Sequence, residues 1–326
     1  ADGFWNARRG RDALVVTWDE RGASRLDSQD QREHYFALAA QSGRVVRNEG
    51  DAPAALAKAE RSLEAVYELP YLAHASMEPM NCVVQLAKDR AELWYGAQSM
   101  SGDQNNVAKL LGLEPKQVVI HQLYAGGSFG RRADPRADYV LEAVNVARAL
   151  DDGQPLKLVW TREDDMRAGR YRPATTHALQ ATLDADGNPL AWLQRIVSQP
   201  LLPGAKASDE KIDRTVHEGA SDLAYAVPNL RVEAHLTEPG VPVLWWRSVG
   251  HTHTAFAVEC FVDECAHAAG VDPFEYRRRL IRNDPRRLAV LERAAREAGW
   301  GTPLPAGHGR GIAVHRSFKT WVAEVV

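Results

Sequence analysis

Cysteine is scarce: Cys82, Cys260 and Cys265 are the only three in a chain of 326 residues. They cannot all pair with one another. No Cys-x-x-Cys or Cys/His array surrounds them, so neither a disulfide framework nor a structural zinc site is indicated. Long apolar runs are missing too, and nothing approaches the roughly 20 residues of a membrane-spanning helix. Neither sign of charge is in excess, since 40 Lys and Arg stand against 43 Asp and Glu for a formal net charge of −3. That balance gives no electrostatic ground for nucleic acid or an anionic membrane as partner. There is no internal repeat or low-complexity tract. The start, Ala1-Asp2-Gly3-Phe4-Trp5, has neither an initiator Met nor the apolar core of a signal peptide. The end, Val322-Ala323-Glu324-Val325-Val326, stops in an apolar run. Both termini read as cuts in a longer protein. An export signal would then lie upstream of Ala1, which leaves the compartment open between cytoplasmic and periplasmic or membrane-associated.

What is present is ordinary globular material, 45% hydrophobic and 25% charged, enough for a sizeable core in two domains or in one domain with pieces of others. The arginine clusters Arg277-Arg278-Arg279 and Arg286-Arg287 are interrupted by acids and apolar residues, and a solvated helix face is expected for them. Strand-like runs lie at Ala13–Trp18, Ala65–Leu72, Cys82–Ala87, Ala91–Tyr95, Val118–Leu123, Leu156–Trp160, Leu179–Leu183, Leu190–Val197 and Leu230–Leu236. Helical spacing marks Arg32–Ala40, Ala54–Glu64, a segment from Ser101 to Leu111 that Gly112 stops, and Phe256–Ala269. Asp134-Pro135, Asp272-Pro273 and Asp284-Pro285 each place a capping carboxylate before a proline, a helix-start signal. After Asp134, residues Tyr139, Ala143, Ala147 and Leu150 recur on one face. Asp184-Ala185-Asp186-Gly187-Asn188 reads as a hairpin turn. Strands and helices are mixed with hairpins, so the fold class is α+β.

Gly126-Gly127-Ser128-Phe129-Gly130-Arg131-Arg132 follows a strand and precedes a helix start. Glycines let a ligand approach the backbone amides, and successive N–H groups with two arginines suit an anion. Neither the P-loop ending nor the G-x-G-x-x-G spacing is present, and Phe129 puts an apolar wall inside the loop. A tight turn with solvated arginines explains the same residues. His74 and Glu78 could share a helix face and bind a metal, but Pro79 disfavours helix at Glu78 and no third ligand is near, so a structural or hydrogen-bonding role is preferred. His251 and His253 alternate like ligands on a strand, but they lie just before the Phe256 helix, and helix capping or surface exposure is expected for at least one of them. Arg247, after Trp245-Trp246, has to find an acceptor, either a ligand oxygen or a backbone carbonyl. Gln98 can donate a hydrogen bond. Cys260 and Cys265 behave as small apolar residues. No nucleophile–base set is recognisable.

Taken in order along the chain, these segments resemble the molybdenum-cofactor-binding large subunit of xanthine dehydrogenase and aldehyde oxidase-type enzymes. Tyr67-Glu68-Leu69-Pro70-Tyr71-Leu72-Ala73-His74-Ala75-Ser76-Met77-Glu78-Pro79 is similar to the opening of the family's cofactor-binding part, and Gln98 falls where the family has a glutamine facing the metal. Gly126 to Gly130 resembles the family's GGGFG loop, with Ser128 in place of the third glycine. Arg247-Ser248-Val249-Gly250 resembles an R-G-F-G turn, and Glu259, Asp263-Glu264 and Gly270-Val271-Asp272-Pro273 resemble the helix that follows. Trp245 to His253 and Arg172-Pro173-Ala174-Thr175-Thr176-His177 are similar to the branch of isoquinoline 1-oxidoreductase large subunits and related membrane-linked aldehyde dehydrogenases.

The resemblance implies the family's α+β molybdenum-cofactor-binding fold. Residues 1–62 would be the tail of an a/b hammerhead domain and linker, 63–283 the first cofactor-binding domain, and 284–326 the opening of the second. It implies a molybdopterin-dependent oxidoreductase that oxidises aldehydes or hydroxylates N-heteroaromatics with water as oxygen source. The cofactor is a molybdenum-pyranopterin (molybdopterin or its cytosine dinucleotide form). Electrons leave through iron–sulfur clusters on a small [2Fe-2S] partner subunit, and a cytochrome c acceptor is compatible. By position Gln98, Gly126, Gly127, Ser128, Phe129, Gly130 and Arg247 would face the cofactor, and Arg172 and Val249 the substrate pocket. No side chain would ligate the metal directly. The family's glutamate base is expected beyond Val326, so no catalytic residue falls in this stretch and it should not turn over alone. The residues after the loop, Arg131-Arg132-Ala133, lack the glutamate of xanthine-specific members, which argues against a purine substrate. Two other readings compete: a stand-alone small-anion-binding or structural interaction domain without molybdenum, and a metallohydrolase using His74, Glu78, His251 and His253.

Overall fold

The computed structural model describes residues 1–202, 204–281 and 283–326. The architecture is α+β, and the chain forms two compact units, each assembled from three stretches. The first comprises residues 1–26, 73–172 and 240–246, the second 27–72, 173–239 and 247–326.

The first unit is built on a four-stranded sheet in the order Val118–Gln122, Arg90–Tyr95, Asn81–Ala87, Leu156–Val159. The expected hairpin forms, with Val83 opposite Trp94 and Leu86 opposite Ala91. Alternation decides which face is covered: Cys82, Val84, Ala91, Leu93 and Tyr95 point into the core and their neighbours do not. Helices Met100–Leu111 and Asp138–Leu150 cover that face with Val107, Ala108, Tyr139, Val140, Ala143 and Val144. Strand Val118–Gln122 pairs in parallel with Arg90–Tyr95, and the chain then runs directly into the glycine loop.

Three expectations fail in this unit. Ala13–Trp18 is not a strand; it is exposed and unpaired, preceded by a helix at Phe4–Asp12. The helix after the loop starts at Asp138 rather than at Pro135. The Asp134 carboxylate is engaged instead by the Arg136 amide at 3.1 Å and by Arg170 at 2.5 Å, and Ala137 turns left-handed (φ 50°) before the helix begins. Leu150 is exposed, because the covered stripe ends at Ala147.

The second unit carries a five-stranded sheet in the order Arg44–Glu49, Asn229–Leu236, Pro189–Ser198, Thr175–Leu183, Leu63–Leu69. Only the Pro189–Ser198/Asn229–Leu236 pair is parallel. The turn at Asp184–Asn188 is held by the Asp184 carboxylate, which accepts from the amides of Asp186 and Asn188. Leu179, Trp192, Ile196 and Val232 form a core with Val258, Phe261 and Val262 of helix His251–Ala268. A helix expected at Ala54–Glu64 stops at Ala57, and Leu63–Leu69 is strand.

Helices Pro273–Leu280 and Pro285–Glu297 begin where the Asp-Pro pairs place them. Asp272 accepts from the Phe274 and Glu275 amides, and Asp284 from Arg287. The arginine clusters are a solvated face only in part, at Arg278 and Arg286. Arg277 is fully buried against Glu259 (2.9 Å) and Asp263 (2.5 Å), and Arg287 is also buried, whereas Arg278 is exposed. Buried Cys82 and Cys265 behave as small apolar residues, with burial pushing each thiol up to about 12. Among the described residues no helix is long and apolar enough to cross a membrane.

Candidate functional site

Three residues in the glycine loop have backbone angles in the left-handed region: Gly127 (φ 94°), Phe129 (57°) and Gly130 (106°). At Gly130 a side chain is also excluded by space, since a Cβ there would lie 2.5 Å from the Trp245 carbonyl oxygen. At Gly126 a Cβ would meet that of Glu78 at 2.5 Å. Ser128 keeps an ordinary backbone and needs no glycine. Its hydroxyl accepts from the Arg132 amide at 3.0 Å and donates to the Gln98 side-chain oxygen. The serine therefore adds two bonds that the family's glycine lacks.

The segment from His74 to Glu78 is the mould for this loop. The Glu78 amide donates to the Gly126 carbonyl at 2.9 Å, and its Oε2 accepts from the Gly126 amide at 2.8 Å. Ser76 donates to the Ser128 carbonyl. Buried His74 sits between the carbonyls of Arg170 (Nδ1, 3.2 Å) and Trp245 (Nε2, 3.0 Å). It thus positions the Trp245 carbonyl that abuts Gly130. Burial lowers the His74 pKa, and a neutral imidazole donates to only one of these two oxygens.

Arg131 and Arg132 are not in solvent, and they do not charge an anion concavity. Both are about 1% exposed. Arg131 makes a two-pronged pair with Asp138 (3.0 and 2.7 Å) and lies over the Trp160 ring. Arg132 donates to the carbonyls of Gly127, Gly96 and Glu78 and pairs with Glu78 Oε2 at 2.8 Å. Burial opposes ionisation of Glu78, but the Gly126 amide, Asn81 and Arg132 together hold its carboxyl below the ordinary glutamate value. The carboxylates cancel the two charges inside the unit.

Gln98 is exposed, and its side-chain oxygen accepts from the Gly130 amide at 3.1 Å as well as from Ser128. Because the Gly130 N–H can only donate, the oxygen must face the loop, and the Gln98 amide nitrogen therefore points away as a donor. The backbone N–H groups of Gly127, Ser128 and Phe129 have no partner among the described residues, whereas those of Gly126, Gly130, Arg131 and Arg132 do. The result is a short cradle with three consecutive free amides, a side-chain amide beside them and a half-exposed Phe129 ring. Such neutral donors suit oxygen or sulfur acceptor atoms of a bound group, and the residues present fit a pterin-type cofactor.

The structure thus brings together Gln98, Gly126, Gly127, Ser128, Phe129 and Gly130. Arg172 is buried in the same unit. Arg247 and Val249 belong to the second unit. Arg247 is exposed and has no hydrogen-bonding acceptor among the described residues, so of the two acceptors expected for it the backbone carbonyl is not used. Ser248 (φ 73°) and Val249 (φ 54°) are both left-handed. His251 and His253 are not on a strand; they form the first turn of a helix that begins five residues before Phe256. His251 bonds His315 at 2.8 Å, and His253 bonds His177 at 3.0 Å. Among the described residues no three His, Cys, Asp or Glu side chains are grouped as a metal site, so the metallohydrolase residues form none.

The hydrogen-bonding role preferred for His74 and Glu78 is what the structure shows, but their partners, Gly126, Arg132 and the Trp245 carbonyl, were not legible in the sequence. The Arg132 partner of Glu78 lies 54 residues away.

A family model described as the molybdopterin cofactor-binding domain matches residues 37–281. The chain is 31% identical to isoquinoline 1-oxidoreductase subunit beta of Brevundimonas diminuta, covering 80% of this chain and 33% of that protein. It is 29% identical to the membrane-bound aldehyde dehydrogenase (pyrroloquinoline-quinone) of Gluconacetobacter polyoxogenes, covering 100% and 46%. The chain therefore spans less than half the length of these relatives. The solved structure of quinoline 2-oxidoreductase from Pseudomonas putida 86 shares its fold, with TM-score 0.70, 20% identity, and coverage of 97% of this chain and 44% of that one.

Proposed function

The chain belongs to the molybdopterin cofactor-binding domain family, and on that premise we propose that it is the cofactor-holding portion of a molybdenum hydroxylase large subunit. The observation that carries the proposal is the preformed loop, with three free amides beside an oriented Gln98. When bound, a molybdenum-pyranopterin supplies two-electron oxidation of a carbon centre with water as the oxygen source.

The chain's own residues bind and orient. The amides of Gly127, Ser128 and Phe129 donate to acceptor atoms of the cofactor, and Gln98 donates from its side-chain nitrogen. Because Glu78, Ser128 and Gln98 already fix the loop, these donors need no reorganisation when the group arrives. The Phe129 ring walls the cradle and excludes water from one side. The resemblance alone assigns Arg247 to the cofactor and Arg172 and Val249 to the substrate pocket.

Substrates of the parent enzyme are aldehydes or N-heteroaromatic rings, a reading supported by the names of its relatives. A glutamate base is expected from the polypeptide beyond Val326. Electrons pass to a small [2Fe-2S] partner subunit, with a cytochrome c as a compatible final acceptor. The test is to express the full-length parent with its small-subunit partner and to measure molybdenum, pterin and substrate-dependent dye reduction. Stoichiometric molybdenum and pterin support the proposal. A folded, active protein free of both contradicts it.

A further inference from the structure

A glycine loop followed by two arginines has the composition of an oxyanion site, yet in this fold the oxyanion position is already taken. One carboxylate oxygen, Glu78 Oε2, accepts from both the Gly126 amide (2.8 Å) and the Arg132 guanidinium (2.8 Å). A backbone amide at a glycine and a guanidinium converging on one oxygen is the arrangement by which such loops hold a phosphate. The second carboxylate oxygen is fixed by Asn81 at 2.9 Å. Arg131, the other cation, is consumed by Asp138. What the loop still offers is uncharged: the amides of residues 127–129 and the Gln98 nitrogen. The Glu78 side chain is partly open to solvent (38%), so its charge stands at the surface of the cradle while Arg132 beneath it is fully covered.

We infer that Glu78 is a built-in counter-anion that sets the specificity of this loop, excluding phosphate and other free anions and reserving the cradle for uncharged or charge-delocalised acceptor atoms. The phosphate of a pyranopterin is then held elsewhere. This deepens the cofactor reading above, on which it rests only for what the cradle finally takes. The reading predicts that removing the carboxylate turns the loop into an anion site, because the charge that repels anions from the free amides is lost and, where the side chain is truncated, the donors that Glu78 occupies also become available.

The test uses the full-length polypeptide that carries this chain, purified without cofactor. Formate and inorganic phosphate are titrated into wild type, Glu78→Ala and Glu78→Gln, with binding read by calorimetry and by thermal shift. Wild type should show no saturable binding of either anion. Glu78→Ala leaves a carboxylate-sized gap beside Arg132, so formate should bind at least about tenfold more tightly than to wild type and recover part of the lost melting temperature. Glu78→Gln keeps an oxygen for the Gly126 amide and fills the gap. It should gain phosphate affinity but not formate. If Glu78→Ala does not fold, the phosphate gain of Glu78→Gln decides alone. Wild-type phosphate binding equal to that of the variants, or no gain in a folded variant, overturns the inference. Molybdenum and pterin content of the wild-type parent is measured separately, so this inference and the cofactor reading can each fail with the other intact.

Discussion

The loop at 126–130 and the turn at 247–250 both resemble the family's cofactor-facing turns, and the structure builds them differently. In the loop, two of the three left-handed residues, Gly127 and Gly130, are glycines and the third is Phe129, and the Glu78 and Gln98 side chains, from distant loops, clamp Gly126, Ser128 and Gly130. In the turn, Ser248 and Val249 stand left-handed one after the other, and the visible ties are backbone bonds from His251 and Thr252 together with the Gly250 amide on Glu218. A β-branched residue at positive φ stores on the order of 1–3 kcal/mol. One turn therefore carries a single left-handed non-glycine, Phe129, inside a mould of outside contacts, and the other carries two in succession at the start of a helix.

The comparison breaks most readily at Gly130. Gly130→Ala places a Cβ against the Trp245 carbonyl in a backbone that disfavours it, and should destabilise the first unit by roughly 3–5 kcal/mol. A chemical-denaturation midpoint near that of wild type would show that the loop is not moulded. Glu78→Ala should cost roughly 2–3 kcal/mol, less than a fully buried pair because the carboxylate is 38% exposed, and Glu78→Gln clearly less.

The two units should also answer pH differently. In the second, burial and then the neighbouring His251 and Arg287 push His315 down to about 4. The unfolded chain takes up this proton near pH 6.5 and the folded one does not, so stability should fall, by a few kcal/mol at most, as pH drops from 6.5 towards 4. In the first unit, burial raises buried Asp103, bonded to Tyr95, to about 6. The folded form keeps a proton that the unfolded form loses near 3.8. This contribution is full below that value and is lost as pH rises through 6. Asp103→Asn should therefore gain stability at pH 8 relative to wild type and flatten that part of the profile. Urea midpoints between pH 4 and 8 measure both.

Smaller effects belong to the strained turn. Val249→Gly should stabilise by about 1 kcal/mol as strain relief outweighs added chain entropy, and a loss of stability would remove strain from the account. Arg247→Ala should change stability by no more than about 0.5 kcal/mol, with its effect confined to the cofactor content of the parent.

The strands and the Asp272 and Asp284 caps were legible because their signals are local. The loop was legible as a glycine turn, and its neighbours in sequence order carried the resemblance. Its mould was not, because Glu78, Gln98 and Trp245 reach it across 48, 32 and 115 residues, and periodicity does not report pairings at such separations. The arginines misled for the same reason. Arg131, Arg132 and Arg277 read as surface residues until their carboxylates came into view. The helix expected from Phe256 begins five residues earlier, at His251, and its first turn was missed because Ser248 and Val249 carry no turn-forming signature, although the chain turns there.

Amide hydrogen exchange at residues 126–132, measured residue by residue in the cofactor-free protein, tests the moulded cradle most directly. The account predicts slow exchange at Gly126, Gly130 and Arg132, whose N–H groups are bonded to Glu78, Gln98 and Ser128, and fast exchange at Gly127, Ser128 and Phe129. Uniformly fast exchange across all seven would contradict it, because the loop would then take its shape only when a ligand arrives.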